Sequence, residues 1–197
     1  MTRIPPLPRL VVLTDAAASA RPLGETVAAA VDGGARAVVL REKHLSRSER
    51  AALAAELGAL LRPVGGVLIV ASDPGIAAAG VHLAATDLFP AGARGIVGRA
   101  CHSPAEVARA ADEGCSYAFL SPVFATASKP GYGPAVGPAA LSGHRIPVWA
   151  LGGVDPNNAA VCVRAGAAGV AVMGAVMRAE DPAAVVAELC GAVGPLR

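Results

Sequence analysis

Eight short apolar runs of Val, Leu, Ile and Ala recur along the 197 residues, separated by alanine-rich segments that open on helix-capping residues. Polar residues gather directly after those runs, where strands would end. These observations predict a single-domain α/β protein, residues 1–197, folded as a (β/α)8 TIM barrel.

The expected strands are Leu10–Leu13, Ala37–Leu40, Val67–Ala71, Gly80–Leu83, Ile96–Gly98, Tyr117–Leu120, Val148–Leu151 and Gly169–Val172. They are apolar on both faces, as parallel strands buried beneath helices are. Ser46-Arg47-Ser48-Glu49 and Ser103-Pro104-Ala105-Glu106 read as capping boxes that start helices, the second with proline at the first helical position. Asp155-Pro156 and Asp181-Pro182 place an acidic cap before a proline in the same way. The connections after Asp73 and Asp87 leave the least room for a helix. A doubly wound open sheet is the competing architecture, but the first strand runs into Leu13-Thr14-Asp15 rather than a GxGxxG turn.

Composition narrows the function classes. Aromatic residues make up only 3% against 54% hydrophobic, so a core built mainly of Ala, Val and Leu is expected. A net charge of +2 is too small to point to nucleic acid or an anionic membrane surface. Cys101, Cys115, Cys162 and Cys190 form no CxxC pair and no zinc spacing, and read as small buried thiols. No signal peptide is visible, and no run approaches the roughly 20 apolar residues that span a bilayer, so a cytoplasmic location is expected. The sequence fixes no oligomeric state and leaves a homo-oligomer open.

In a barrel of this kind the chemistry lies at the carboxyl ends of the strands. Collected there are Thr14, Asp15, Arg41, Lys43, Ser72, Asp73, His82, Asp87, Arg99 and His102. The segment Ser121 to Lys129, Gly152-Gly153 and Met173-Gly174 complete the rim. Arg41 and Lys43 stand two apart and point to one face in an extended chain, which calls for an anion. Thr126, Ser128 and Lys129, in a loop flanked by Gly and Pro, have the donors to wrap phosphate oxygens. Glycine amides at Gly152-Gly153 and Gly174 suit a second phosphate. Asp73 and Asp87 are candidate oxygen ligands for Mg2+, although Asp73-Pro74 is equally a helix-cap pattern. His102 is either a proton-transfer group or a neighbour of the Ser103 cap, and His82, inside a strand, reads as structural. Trp149, the only tryptophan, is expected beside the phosphate strand.

Several segments resemble the thiamine phosphate synthase/TenI family: Arg41-Glu42-Lys43, Gly80-Val81-His82-Leu83 with Asp87, and Gly98-Arg99-Ala100-Cys101-His102. Ser121 through Gly131, Gly152-Gly153-Val154 and Ala165 through Met173 fit as well, so the resemblance runs from about Leu10 to Val193. It implies an enzyme that couples an aminopyrimidine methyl diphosphate to a thiazole phosphate, with Mg2+, releasing diphosphate. By resemblance, Arg41, Lys43 and Lys129 match the diphosphate-binding positions, and Asp73 and Asp87 match the magnesium ligands. Thr126 and Ser128 match the hydroxyl-bearing positions of the lysine loop. The alternatives within the family are a TenI-like thiazole tautomerase, in which His102 matches the proton-transfer histidine, and a catalytically silent phosphate-binding regulator. The chain departs from the synthase pattern at Val39, where the family has glutamine, at Ser72, where it has asparagine, and at Ala100, where many members have serine. The stretch from Asp73 to Gly80 is also shortened.

Overall fold

The computed structural model describes residues 7–92, 95–125 and 134–195. Eight parallel strands close into a barrel in sequence order: β1 Leu10–Leu13, β2 Ala37–Leu40, β3 Val67–Ala71, β4 Gly80–Leu83, β5 Ile96–Cys101, β6 Tyr117–Leu120, β7 Val148–Leu151 and β8 Gly169–Val172. Val12 lies opposite Val38 on one side of β1, and Leu10 opposite Val170 on the other, which closes the ring.

Period-two alternation divides the strand residues into two cores. Val12, Val38, Leu40, Val70, Leu83, Leu120 and Val170 face outward beneath the helices. Val11, Val39, Ile69, Ala71, Tyr117, Phe119, Trp149 and Ala171 fill the barrel interior. This is why every strand is apolar on both faces. The core as a whole is mostly Val, Leu and Ala, as composition suggests, but three large aromatic side chains share the barrel interior. Glycines on neighbouring strands make the room. A Cβ on Gly98 would sit 2.0 Å from the Tyr117 ring, and one on Gly169 would sit 2.5 Å from the Trp149 indole nitrogen.

Helices α1 Leu23–Asp32 and α2 Arg47–Leu61 follow β1 and β2, α3 Pro104–Asp112 follows β5, and α4 Ala159–Arg164 follows β7. After β8 come α5 Gly174–Met177 and α6 Pro182–Val193. The Ser46 box forms in full: the Ser46 hydroxyl accepts from the Glu49 amide, and the Glu49 carboxylate accepts from the Ser46 amide. At α3 only half of the expected box exists. Ser103 caps the Glu106 amide, but the Glu106 carboxylate reaches past it to the His102 amide at 2.6 Å. Asp181 caps α6 through the Ala184 amide. Asp155 instead closes a turn on the Asn157 and Asn158 amides, and α4 begins only at Ala159.

No helix lies between β3 and β4 (residues 72–79), nor among the described residues between β4 and β5 (84–92 and 95). The first link is too short for a helical crossover, which takes a dozen residues or more. Between β6 and β7 the described residues hold a single 3-10 turn, Pro138–Leu141. No helix among the described residues is long and apolar enough to cross a membrane.

Candidate active site at the carboxyl ends of the strands

Strand parity and the short links place the polar rim. The Arg41 amide, just past β2, donates to the Thr14 hydroxyl at 3.0 Å, and Thr14 is fully buried. This bond ties the β1 and β2 ends together. A second tie comes from Glu42, which faces outward, is buried, and accepts from the Ala16 amide. The Arg41 guanidinium lies over the β8 and β1 ends, 3.6 Å from the Met173 sulfur and 3.7 Å from Asp15. Lys43 is exposed, and its charge acts on the other side of the rim, on Asp87 and His82. The two cations thus serve different sectors of one face.

Asp73 accepts from the Gly75 amide at 2.9 Å and from Arg47 Nε at 3.1 Å. With no helix after it, Asp73 is a turn carboxylate rather than a helix cap. Asp87 accepts from the Ala84 amide at 2.7 Å. Burial alone would raise its carboxyl, but the nearby Ser72 hydroxyl, the Ala84 amide and the charges of Lys43 and Arg99 hold it below the usual value. The Ser72 Oγ lies close to Asp87 without completing a hydrogen bond of good geometry, and it has no other partner among the described residues. Ser72 also holds a left-handed backbone, φ +57°, a conformation that favours glycine or asparagine. Ser72 thus joins the two acids: it precedes Asp73 in the chain and reaches toward Asp87.

His82 lies in the barrel interior with Nδ1 3.0 Å from the Tyr117 hydroxyl and its ring against Phe119. Burial, reinforced by Lys43 and Arg99, lowers its pKa from 6.5 to about 3, so the ring is neutral. Its place in the packed interior agrees with its strand position. His102 points to the rim. Its Nδ1 is 2.7 Å from the Ser121 carbonyl, so Nδ1 carries a proton and donates to that oxygen.

On the far side of the rim, Gly152 and Gly153 have φ of +92° and +66°. A Cβ on Gly153 would come within 2.5 Å of the Ala125 carbonyl oxygen, so this turn tolerates no side chain. Asn158 buttresses it, donating to the Gly153 carbonyl and accepting from the Asp155 amide. Met173 and Gly174 follow β8 and lead into α5, with Met173 against Arg41. Thr126, Ser128 and Lys129 lie outside the described residues.

One expectation is corrected. Arg99 was counted among the rim bases, but it sits on the outward face of β5, which runs to Cys101 rather than ending at Gly98. It is buried there and ion-paired with Glu113 at 2.7 Å, and a charge in that position gives no sign in the sequence of which face it takes. Trp149 is buried on β7 opposite Gly169 of β8, as expected, with its indole donating to the Pro8 carbonyl at the amino end of the barrel. Arg47 and Asn158, absent from the sequence-derived set, contact site elements. Asn158 had a usable signal, since Asp155 to Asn158 is a polar cluster directly after a glycine turn.

All four cysteines are unpaired thiols. Burial pushes Cys101 up to about 12 and Cys162 to about 11, and it raises Cys115 and Cys190 too, so none is an activated nucleophile. Two surface cavities, of about 180 and 450 Å3, open at the amino ends of the strands, beside Arg9 and Arg36 and beside His144 and Arg145. Neither belongs to the rim.

Fold and rim define a (β/α)8 barrel whose carboxyl-end face gathers cations, the carboxylates of Asp15, Asp73 and Asp87, and side-chain-free glycine turns, the arrangement of a barrel that handles anionic ligands. The chain belongs to the thiamine monophosphate synthase family, whose family model matches residues 10–176. It is 38% identical over 198 residues to the thiamine-phosphate synthase of Chloroflexus aurantiacus, covering 92% of this chain and 90% of that one. The thiamine-phosphate synthase of Roseiflexus castenholzii is 39% identical, with 91% and 85% covered. Among solved structures, the thiamine phosphate pyrophosphorylase from Pyrococcus furiosus superposes with a TM-score of 0.84 at 30% identity, covering 94% of this chain and 95% of that one.

Proposed function

We infer that this protein is a thiamine phosphate synthase, an alkyl transferase that joins an aminopyrimidine methyl diphosphate to a thiazole phosphate. The near full-length match to chains that bear that name carries the reading. In the reaction the methylene–oxygen bond breaks and its electron pair leaves with diphosphate. The lone pair of the thiazole nitrogen forms the new carbon–nitrogen bond. No proton moves in that step, which suits a rim with few bases.

The chain's own residues divide the work. Arg41, Lys43 and Lys129 bind diphosphate oxygens and stabilise the negative charge that grows on them as the bond breaks, where preorganised cations lower the barrier most. Thr126 and Ser128 donate to the same oxygens. The Gly152-Gly153 turn and the Met173-Gly174 link hold the thiazole phosphate, so that the attacking nitrogen waits beside the methylene. Val39, inward-facing and fully buried, has no polar group to offer a pyrimidine.

The two rim acids are the proposed ligands for Mg2+. Among the described residues no cluster of three or more His, Cys, Asp or Glu can cage a metal, and Mg2+ characteristically takes one or two carboxylates and completes its shell with substrate phosphates and water. Asp73 and Asp87 would hold it, and when bound it would neutralise diphosphate charge. Unpaired buried thiols suit a reducing cytoplasm. Expression in a thiamine-requiring bacterium that lacks its own synthase tests the reading: growth without thiamine is expected, and failure to grow despite folded protein contradicts it.

A further inference from the structure

We propose that Arg99 and Glu113 form a latch that fixes the Asp87 turn against the barrel, making Arg99 a positioning residue for the metal and diphosphate site although it lies outside the barrel. The inference rests on the reading of Asp87 as a metal ligand.

The β4–β5 connection has no helix among its described residues, so the usual cover is missing over residues 84–87. Arg99 takes its place. Its side chain projects from the outer face of β5 and is only 5% exposed. Nη1 donates to the Ala84 carbonyl at 2.9 Å, the Ala85 carbonyl at 3.3 Å and the Asp87 carbonyl at 2.8 Å. Nη2 pairs with Glu113, just past α3, at 2.7 Å. A buried guanidinium is costly unless its donors are engaged, and here Nη1 engages one short turn and Nη2 one carboxylate, while Nε finds no partner among the described residues.

The turn is closed on itself by other bonds. The Asp87 carboxylate accepts from the Ala84 amide, and the Asp87 amide donates to the Ala84 carbonyl. Those bonds give the turn its shape but do not fix it to the barrel. Arg99 does, by joining the Asp87 carbonyl to β5 and, through Glu113, to the end of α3. Loss of the latch leaves the turn formed and free to shift as a unit, so the position of Asp87 relative to Asp73 is what suffers.

The test is Mn2+ binding in the presence of inorganic diphosphate, followed by electron paramagnetic resonance, for the parent, Glu113→Gln, Arg99→Leu and Asp87→Asn. Thermal melts establish that each is folded. Residues that hold a metal ligand in place typically contribute about 10-fold or more in metal affinity. Glu113→Gln and Arg99→Leu are each expected to weaken Mn2+ binding about 10-fold, in the direction of Asp87→Asn. Parent-like binding by Asp87→Asn would remove the metal reading and the latch with it. Weakened binding by Asp87→Asn with parent-like binding by folded Glu113→Gln and Arg99→Leu would overturn the latch alone. If Arg99→Leu does not fold, the half-exposed Glu113 decides by itself.

Discussion

His82 makes this barrel lose stability in mild acid, by an amount the structure sets. Its imidazole is buried among Tyr117 and Phe119, and burial together with Lys43 and Arg99 lowers its pKa from 6.5 to about 3. The unfolded chain therefore takes up a proton as pH falls below 6.5, while the folded chain stays neutral until about 3. Where the unfolded state binds the extra proton, stability falls with falling pH by about 1.4 kcal/mol per unit. The contribution is intact above pH 6.5 and lost progressively below it. Between pH 7 and pH 5 the loss amounts to about 2 kcal/mol, a figure that requires only a folded-state value well below 5. His82→Gln keeps a polar partner for the Tyr117 hydroxyl and cannot titrate. Urea denaturation of both proteins at pH 7 and pH 5 should show the parent losing about 2 kcal/mol more than the variant over that interval. Equal losses would show that His82 is not a buried neutral ring.

Three more outcomes are expected. Lys129→Ala should abolish coupling with little loss of stability in a thermal melt; activity that survives intact would remove Lys129 from the diphosphate site. Gly98→Ala drives a methyl into the Tyr117 ring and should cost about 1–3 kcal/mol in a denaturant titration, so unchanged stability would contradict the interior packing. Asn158→Ala leaves the Gly153 carbonyl and Asp155 amide without their partner, and it should raise KM for thiazole phosphate more than KM for the diphosphate substrate. An equal rise in both would separate the glycine turn from the thiazole phosphate.

The strands were legible because strands buried on both faces leave uninterrupted apolar runs, and all eight lie where those runs stand. The fifth was read short because Arg99 looks like a strand end, whereas a charge on the outer face can continue a strand if a carboxylate such as Glu113 meets it. Asp155-Pro156 carries the letters of a helix start, but its carboxylate is used in a turn. The aromatic interior was illegible for a different reason. Composition counts residues without placing them, and Tyr117, Phe119 and Trp149 converge only once the barrel closes. For the site, the strand ends put Arg41, His102 and the glycine turns at the carboxyl end of the barrel, with Asp87 in the link after β4. The contacts that hold them, such as Asn158 on Gly153 and Arg99 on the Asp87 turn, join residues on different elements that local spacing cannot reveal.

The most direct test is the coupling reaction itself, with purified protein, aminopyrimidine methyl diphosphate, thiazole phosphate and Mg2+. Thiamine phosphate and diphosphate should appear in equal amounts, and EDTA should stop both. Folded protein that forms no thiamine phosphate from intact substrates would contradict the synthase assignment.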